Sequence, residues 1–252
     1  MGTVPSDLFC IFRWKNMKNQ YVADIGDYGK YSLLKAFEDA GIRIGINWYL
    51  TEDDGSGDGR FVKYLEDDTY REYCSDVYDE LKVILSSGRR DVNSVEKSGI
   101  FRDVIYYGDN IDSVGKLGEH LVFRTSWHES AMSALEGAEL VFLDPDNGLI
   151  TSDKMRNRNH IKYVTADEVI DYFIREQNVV YYCHKGRRTK EQWEEYKSTV
   201  FRKVPNTRPM ILTFHKGTQR SYIFVIHPED YERYREIAGA FSKKWSGIFA
   251  FE

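Results

Sequence analysis

Apolar and polar residues alternate along this chain in blocks that switch between a helical and a strand period. Over Tyr28–Ala40 the apolar positions Tyr31, Leu33, Leu34 and Phe37 follow a helical spacing, and Gly41 supplies a stop. Ile42–Leu50 then reads as a strand, and residues 61–86 as one or two helices. Val104–Tyr107 is a short strand, Leu121–Phe123 a strand-like patch, and Ser130–Leu135 a helical turn or more. Strand Glu139–Leu143 precedes helix Ala166–Glu176, for which Thr165 is the expected cap. The remaining elements are strand Val179–Cys183, helix Lys190–Val200, strands Met210–Phe214 and Ser221–Ile226, helix Tyr231–Phe241 and a last strand within Ser246–Phe251.

Helices alternating with strands predict an α/β fold: a mostly parallel central sheet with helices on both faces. The short spacing of the strands at 210–214 and 221–226 predicts an antiparallel hairpin near the C-terminus. No repeat or Pro/Ser-rich linker divides the chain, so residues 17–252 read as one domain with a helical insertion at 66–103. Residues 1–16 read as a lead-in, with Met17 as an alternative start.

Composition changes this picture little. Aromatic residues make up 15% of the chain, enough for a sizeable core. No apolar run approaches the roughly 20 residues that span a bilayer, and no secretory signal pattern opens the chain. Cys10, Cys74 and Cys183 are odd in number and far apart. A disulfide framework and a zinc site are therefore not expected, and a cytoplasmic setting fits. Charge is uneven. Residues 1–150 hold 27 Asp and Glu against 16 Lys and Arg, while residues 151–252 hold 13 against 19. A basic half suits a polyanion such as RNA or DNA, although solvated helix faces give the same count.

Two loops after strands carry candidate chemistry, because ligands in open α/β sheets collect beyond the carboxyl ends of strands. The first, 51–59, mixes Gly55, Gly57 and Gly59 with Asp53, Asp54 and Asp58. Its glycines permit close approach of backbone to ligand. Its acids disfavour phosphate and favour a cationic or hydroxyl-bearing ligand, or a metal; a plain acidic turn is the other reading. The second is Asp144-Pro145-Asp146-Asn147, which places two carboxylates and an amide at a strand end. Softer candidates are Asp109, Glu129 and the basic residues Lys185, Arg187, Arg188, Arg202, Lys203, Arg208, Lys216 and Arg220.

Three segments carry a family resemblance: Asp27-Tyr28-Gly29-Lys30-Tyr31, the strand Ile46–Leu50 with its Asp/Gly loop, and Asp144-Pro145-Asp146-Asn147. With the tail running from Gly217-Thr218 into Tyr222–Pro228, they make the chain resemble the class I S-adenosylmethionine-dependent methyltransferases. Within that class it is most similar to the J-type large-subunit ribosomal RNA adenine-N6 methyltransferases. The resemblance implies a Rossmann-like methyltransferase with S-adenosylmethionine as cofactor and an exocyclic amine of a nucleic acid base as acceptor. Asp144, Pro145, Asp146 and Asn147 would be the catalytic segment. Lys30, Thr51, Asp53, Gly55, Gly57 and Asp58 would hold the donor, with Asp109 at its ribose and Glu129 at its adenine. Lys185, Arg187, Arg188, Lys216 and Arg220 would meet the nucleic acid. The chain departs from the family at Asp146, where a proline is usual, and at Asn147, where an aromatic residue stacks the base. Two alternatives stand beside this reading. Asp53, Asp54, Asp58, Asp144 and Asp146 around Mg²⁺, assisted by His184 or Lys185, would make a nuclease or phosphoesterase. The same fold without chemistry would be a nucleic-acid-binding module. The sequence sets no oligomeric state.

Overall fold

The strands at 44–47, 140–143 and 210–214 are buried at every position, so they need cover on both faces. In the structure, a computed structural model describing residues 21–51, 59–111, 117–150 and 158–252, that cover is two layers of helices. Strands β1 (Ile44–Asn47), β2 (Val104–Tyr107), β3 (Leu140–Leu143), β4 (Asn178–Cys183), β5 (Met210–Phe214), β6 (Arg220–Val225) and β7 (Phe249–Phe251) form one sheet. Ile44, Ile46, Phe142, Val180 and Leu212 face a core shared with α1 (Ile25–Asp39), α2 (Ser75–Ser87), α3 (Val92–Glu96) and α7 (Tyr231–Lys244). Val141, Leu143, Val179, Tyr181 and Ile223 face a second core shared with α4 (Leu117–Ala134), α5 (Ala166–Phe173) and α6 (Lys190–Phe201). The period of two along each strand divides the residues between these cores.

The strand order is β2-β1-β3-β4-β6-β5-β7. β1 pairs in parallel with β2 and β3, and β3 with β4, whereas β4–β6, β5–β6 and β5–β7 are antiparallel. The sheet is thus mixed, with half its pairings antiparallel, and the expected C-terminal hairpin is β5–β6. After β1 the chain moves outward to β2 and then returns across β1 to β3. The carboxyl ends of β1 and β3 therefore flank a topological switch point, where a crevice opens.

Several elements differ from the sequence reading for physical reasons. The strand expected over Ile42–Leu50 ends at Asn47, because Tyr49 turns into the left-handed region at φ 49°. Residues 121–135, expected as a strand patch and a separate helix, belong largely to α4. Its inward stripe is His120, Arg124, Trp127, His128 and Ala131, at helical spacing but largely polar. Leu121, Val122 and Phe123 are 42%, 69% and 43% exposed, which inverts the apolar signal. Within the stretch read as an insertion, Val77, Tyr78 and Leu81 join the same core as α1. Thr165 caps α5 as expected: it accepts from the Glu168 amide at 3.1 Å while Glu168 accepts from the Thr165 amide at 2.9 Å. Among the described residues no helix is long and apolar enough to cross a membrane.

Gly148, which follows the Asp144–Asn147 segment, has φ 89°. A Cβ there would lie 2.8 Å from the Cys183 backbone. Strain of the left-handed backbone and overpacking then act together, so Gly148→Ala is expected to lose about 3 kcal/mol of stability in denaturant unfolding. A loss under about 1 kcal/mol contradicts this packing.

Candidate functional site

A cavity of about 610 Å³ opens at the switch point, within the size range of small-molecule sites. Helix α1 and its N-cap form one wall with Asp24, Gly26, Asp27, Lys30 and Tyr31; the segment after β1 contributes Trp48, Tyr49, Leu50 and Thr51. The segment after β3 contributes all four of Asp144, Pro145, Asp146 and Asn147. Tyr182, His184, Thr218, Arg220 and Tyr222 close the far side.

Lys30 is the hub. Its Nζ lies 2.7 Å from Asp144 Oδ2 and 2.8 Å from Asp27 Oδ1, with only 10% of the Lys30 side chain and 17% of Asp144 exposed. The ammonium also lies 4.9 Å from the Tyr31 ring centroid and 5.7 Å from that of Trp48. Burial pushes the Asp144 carboxyl up to about 6; Lys30 resists the shift, while Asp27 and Asp146 add to it. Burial raises Asp27 as well. Burial alone would pull the Lys30 ammonium down, but Asp144 and Asp27 outweigh it and hold the group well above its ordinary value. Two carboxyls, Asp27 buried and Asp144 half-buried, thus share one firmly protonated lysine. Oδ1 of Asp144 takes no hydrogen bond among the described residues, and the Asn147 backbone is fixed by donation to the Lys162 carbonyl at 2.9 Å.

A second ion pair ties the start of α1 to β6. Arg220 Nη2 lies 2.9 Å from Asp24 Oδ1, and Asp24 also accepts from the backbone amides of Gly26 and Phe61. The guanidinium occupies the space over Gly26, where a Cβ would meet Arg220 Cζ at 2.0 Å. Trp48 is held by donation to Glu96 at 2.7 Å and by stacking on Tyr106. Tyr49, with its left-handed backbone, sends its hydroxyl to Glu168 at 3.2 Å. Glu168 in turn receives Arg124 at 2.6 and 2.8 Å. Burial holds His184 below its usual range, with Arg188 and Arg220 adding to the effect.

The sequence candidates therefore separate. Lys30, Thr51 and the four residues 144–147 converge on the cavity. Arg220 also lines it, paired with Asp24 rather than displayed on an outer surface. Lys185 and Arg188 are half-buried and Arg187 exposed, on the loop that continues from His184. Arg188 lies 4.0 Å from the Tyr196 ring centroid. Lys216 is half-buried in the β5–β6 turn, beside Thr218. Asp109 and Glu129 are exposed and do not line the cavity; Glu129 lies in the middle of α4. Asp53, Asp54, Gly55, Gly57 and Asp58 lie outside the described residues, as do Cys10, the 1–16 segment and Met17. Sequence reasoning missed Asp24, Tyr182 and Tyr222, and gave Tyr31 no role of its own. Only Asp24 carries a local signal, as an Asp one residue before a helix.

Neither a protein-family model nor a curated protein matches the chain. Among solved structures, the crystal structure of protein LPL1258 from Legionella pneumophila, of family DUF519, aligns with a TM-score of 0.44 and 10% identity. The alignment covers 93% of this chain and 97% of that one.

Replacing Lys30 by Met leaves Asp27 and Asp144 buried without their cation. Removing one member of such a group costs about 3–5 kcal/mol, and that loss is expected in denaturant unfolding at pH 8. The deficit relative to wild type is expected to shrink at pH 5, where protonation of the raised carboxyls discharges the site. In the wild type, Asp144 titrates near 6 when folded and near 3.8 when unfolded. The native state therefore binds more protons between those values, and this group lowers stability as pH rises through that window. A Lys30→Met deficit that is equal at both pH values contradicts the shared-charge arrangement.

Proposed function

We propose that this chain is an S-adenosylmethionine-dependent methyltransferase acting on an exocyclic amine of a nucleic acid base. The observation that carries the reading is the Asp144 carboxyl at the end of β3: half-buried, held by Lys30 at 2.7 Å, and lining a cavity at the switch point. An amine acceptor needs little acid–base machinery when the methyl group arrives already activated, so positioning and electrostatics are the protein's main contributions.

The lining suits a sulfonium donor. Tyr31 and Trp48 already hold one cation, the Lys30 ammonium, near their rings. Asp24, Asp27, Asp144 and Asp146 outnumber Lys30, Arg60 and Arg220 around the cavity. Lys30, Thr51 and Trp48 would hold the donor on the β1 side. When bound, the donor supplies the methyl carbon: its C–S bond breaks as the N–C bond forms, and the electron pair stays on sulfur. Asp144 Oδ2 is fixed by Lys30, which leaves Oδ1 to accept a hydrogen bond from the target amine and aim its lone pair. With a carboxyl near 6, Asp144 is mostly ionised at neutral pH and can take up the proton the amine releases. Asn147 offers a second polar contact to that amine. The basic segment 185–188 and Lys216 border the cavity through His184 and Thr218, which suits a polyanionic acceptor. The cysteines remain compatible with a cytoplasmic setting.

A magnesium-dependent nuclease is less well supported, because one of its two candidate carboxylates among the described residues, Asp144, is already paired with the Lys30 ammonium at 2.7 Å. The expected outcome of the direct test is that Asp144→Ala lowers methyl incorporation from labelled donor into total RNA or DNA by about 100-fold or more. Asn147→Ala is expected to lower it by a smaller factor. Full incorporation in both variants contradicts the reading.

A further inference from the structure

One rung of the sheet carries the far side of the cavity. Leu143 pairs with Tyr181, and Tyr182 with Tyr222, so Asp144, Tyr182 and Tyr222 succeed one another across β3, β4 and β6. Tyr182 is half-buried and lines the cavity, nearly parallel to His184 at an interplanar angle of 25°. Tyr222 meets Tyr182 edge-on, with ring centroids 6.2 Å apart. The Tyr222 residue is 1% exposed, and its hydroxyl makes no hydrogen bond among the described residues. Buried hydroxyls are ordinarily bonded, and this one belongs to a residue of the cavity wall, one strand beyond Tyr182 from the carboxylate proposed to hold the amine.

We infer that Tyr182 and Tyr222 seat the acceptor. Tyr182 gives a ring face to a flat heteroaromatic base, and the Tyr222 hydroxyl donates to a ring nitrogen or carbonyl on its edge. The exocyclic amine then points along the rung to Asp144. This inference rests on the methyl-transfer reading above and deepens it by naming the residues that hold the acceptor base. It also supplies the stacking surface that the motif itself lacks with Asn147 in its fourth position. Base–aromatic stacking tolerates many sequences because every base has a π-face, so the seat selects for flatness, and Tyr222 with Asp144 selects the edge.

The test is a ligand-observed NMR titration with adenosine 5′-monophosphate, with S-adenosylhomocysteine at saturation so that the donor half is filled. Binding of S-adenosylhomocysteine is measured separately by calorimetry. Tyr182→Phe is expected to bind the nucleotide within about two-fold of wild type. Tyr182→Leu, which keeps bulk but removes the ring, is expected to weaken it about ten-fold or more. Tyr222→Phe is expected to weaken it about three- to ten-fold while its melting temperature holds or rises, because the variant deletes a buried hydroxyl that has no protein partner. Equal nucleotide binding in wild type and Tyr182→Leu overturns the seat. So does a Tyr222→Phe variant that melts earlier with nucleotide binding intact, since its hydroxyl would then be structural. Failure of wild type to bind S-adenosylhomocysteine overturns the methyl-transfer reading instead, and the separate titration tells the two failures apart.

Discussion

The ammonium of Lys30, caught between the carboxyls of Asp27 and Asp144, joins the wall of the cavity to its floor. Asp27 and Lys30 sit one turn apart on α1, while Asp144 comes from the end of β3, 114 residues later. Burial makes the arrangement expensive: two carboxyls and one lysine share a space that water barely reaches. A well-packed apolar cluster would stabilise the same contact between helix and sheet at least as well. What the charges give, and apolar side chains cannot, is a carboxyl held at one position and left with an unused oxygen facing a cavity. The Asp24–Arg220 pair repeats the device at the start of α1, anchoring it to β6.

Behind the cavity a second polar network holds the β1 end in place. Tyr49 adopts a left-handed backbone, an uncommon state for a bulky residue. Its side chain leaves the α1 side and reaches Glu168, which is itself gripped by Arg124 and by the Thr165 cap. The path from cavity floor to α5 and α4 is thus a chain of buried hydrogen bonds, and Arg124 extends it to the carbonyls of His160 and Tyr163. A site that works by positioning needs such support, because small misplacements of a reacting group are costly.

Much of the frame was legible in the sequence. Apolar runs such as Leu140–Leu143 and Met210–Phe214 announce buried strands, and the short link from β5 to β6 announces a hairpin. Asp144–Asn147 was visible because a strand ending in Asp-Pro-Asp-Asn is chemically unusual, and Lys30 only through the family resemblance of the Asp27–Tyr31 segment. α4 was hidden, since the stripe that it buries is largely histidine and arginine while its leucine, valine and phenylalanine face outward. The direction of β6 relative to β4 was equally hidden, and with it the rung that aligns Asp144 with Tyr182 and Tyr222. Register is a property of pairing, and no local spacing encodes it. Asp109 and Glu129 fell away from the cavity because their roles came from the order of elements alone.

The central claim, a methyl-donor site at the switch point between β1 and β3, meets its most direct test in calorimetric titration of the intact protein with S-adenosylmethionine. The account predicts saturable binding near one equivalent per chain, unchanged by added Mg²⁺ and weakened in Lys30→Met. No heat with the donor, together with saturable binding of Mg²⁺, would contradict it and turn the same carboxylates toward metal-dependent phosphoester chemistry.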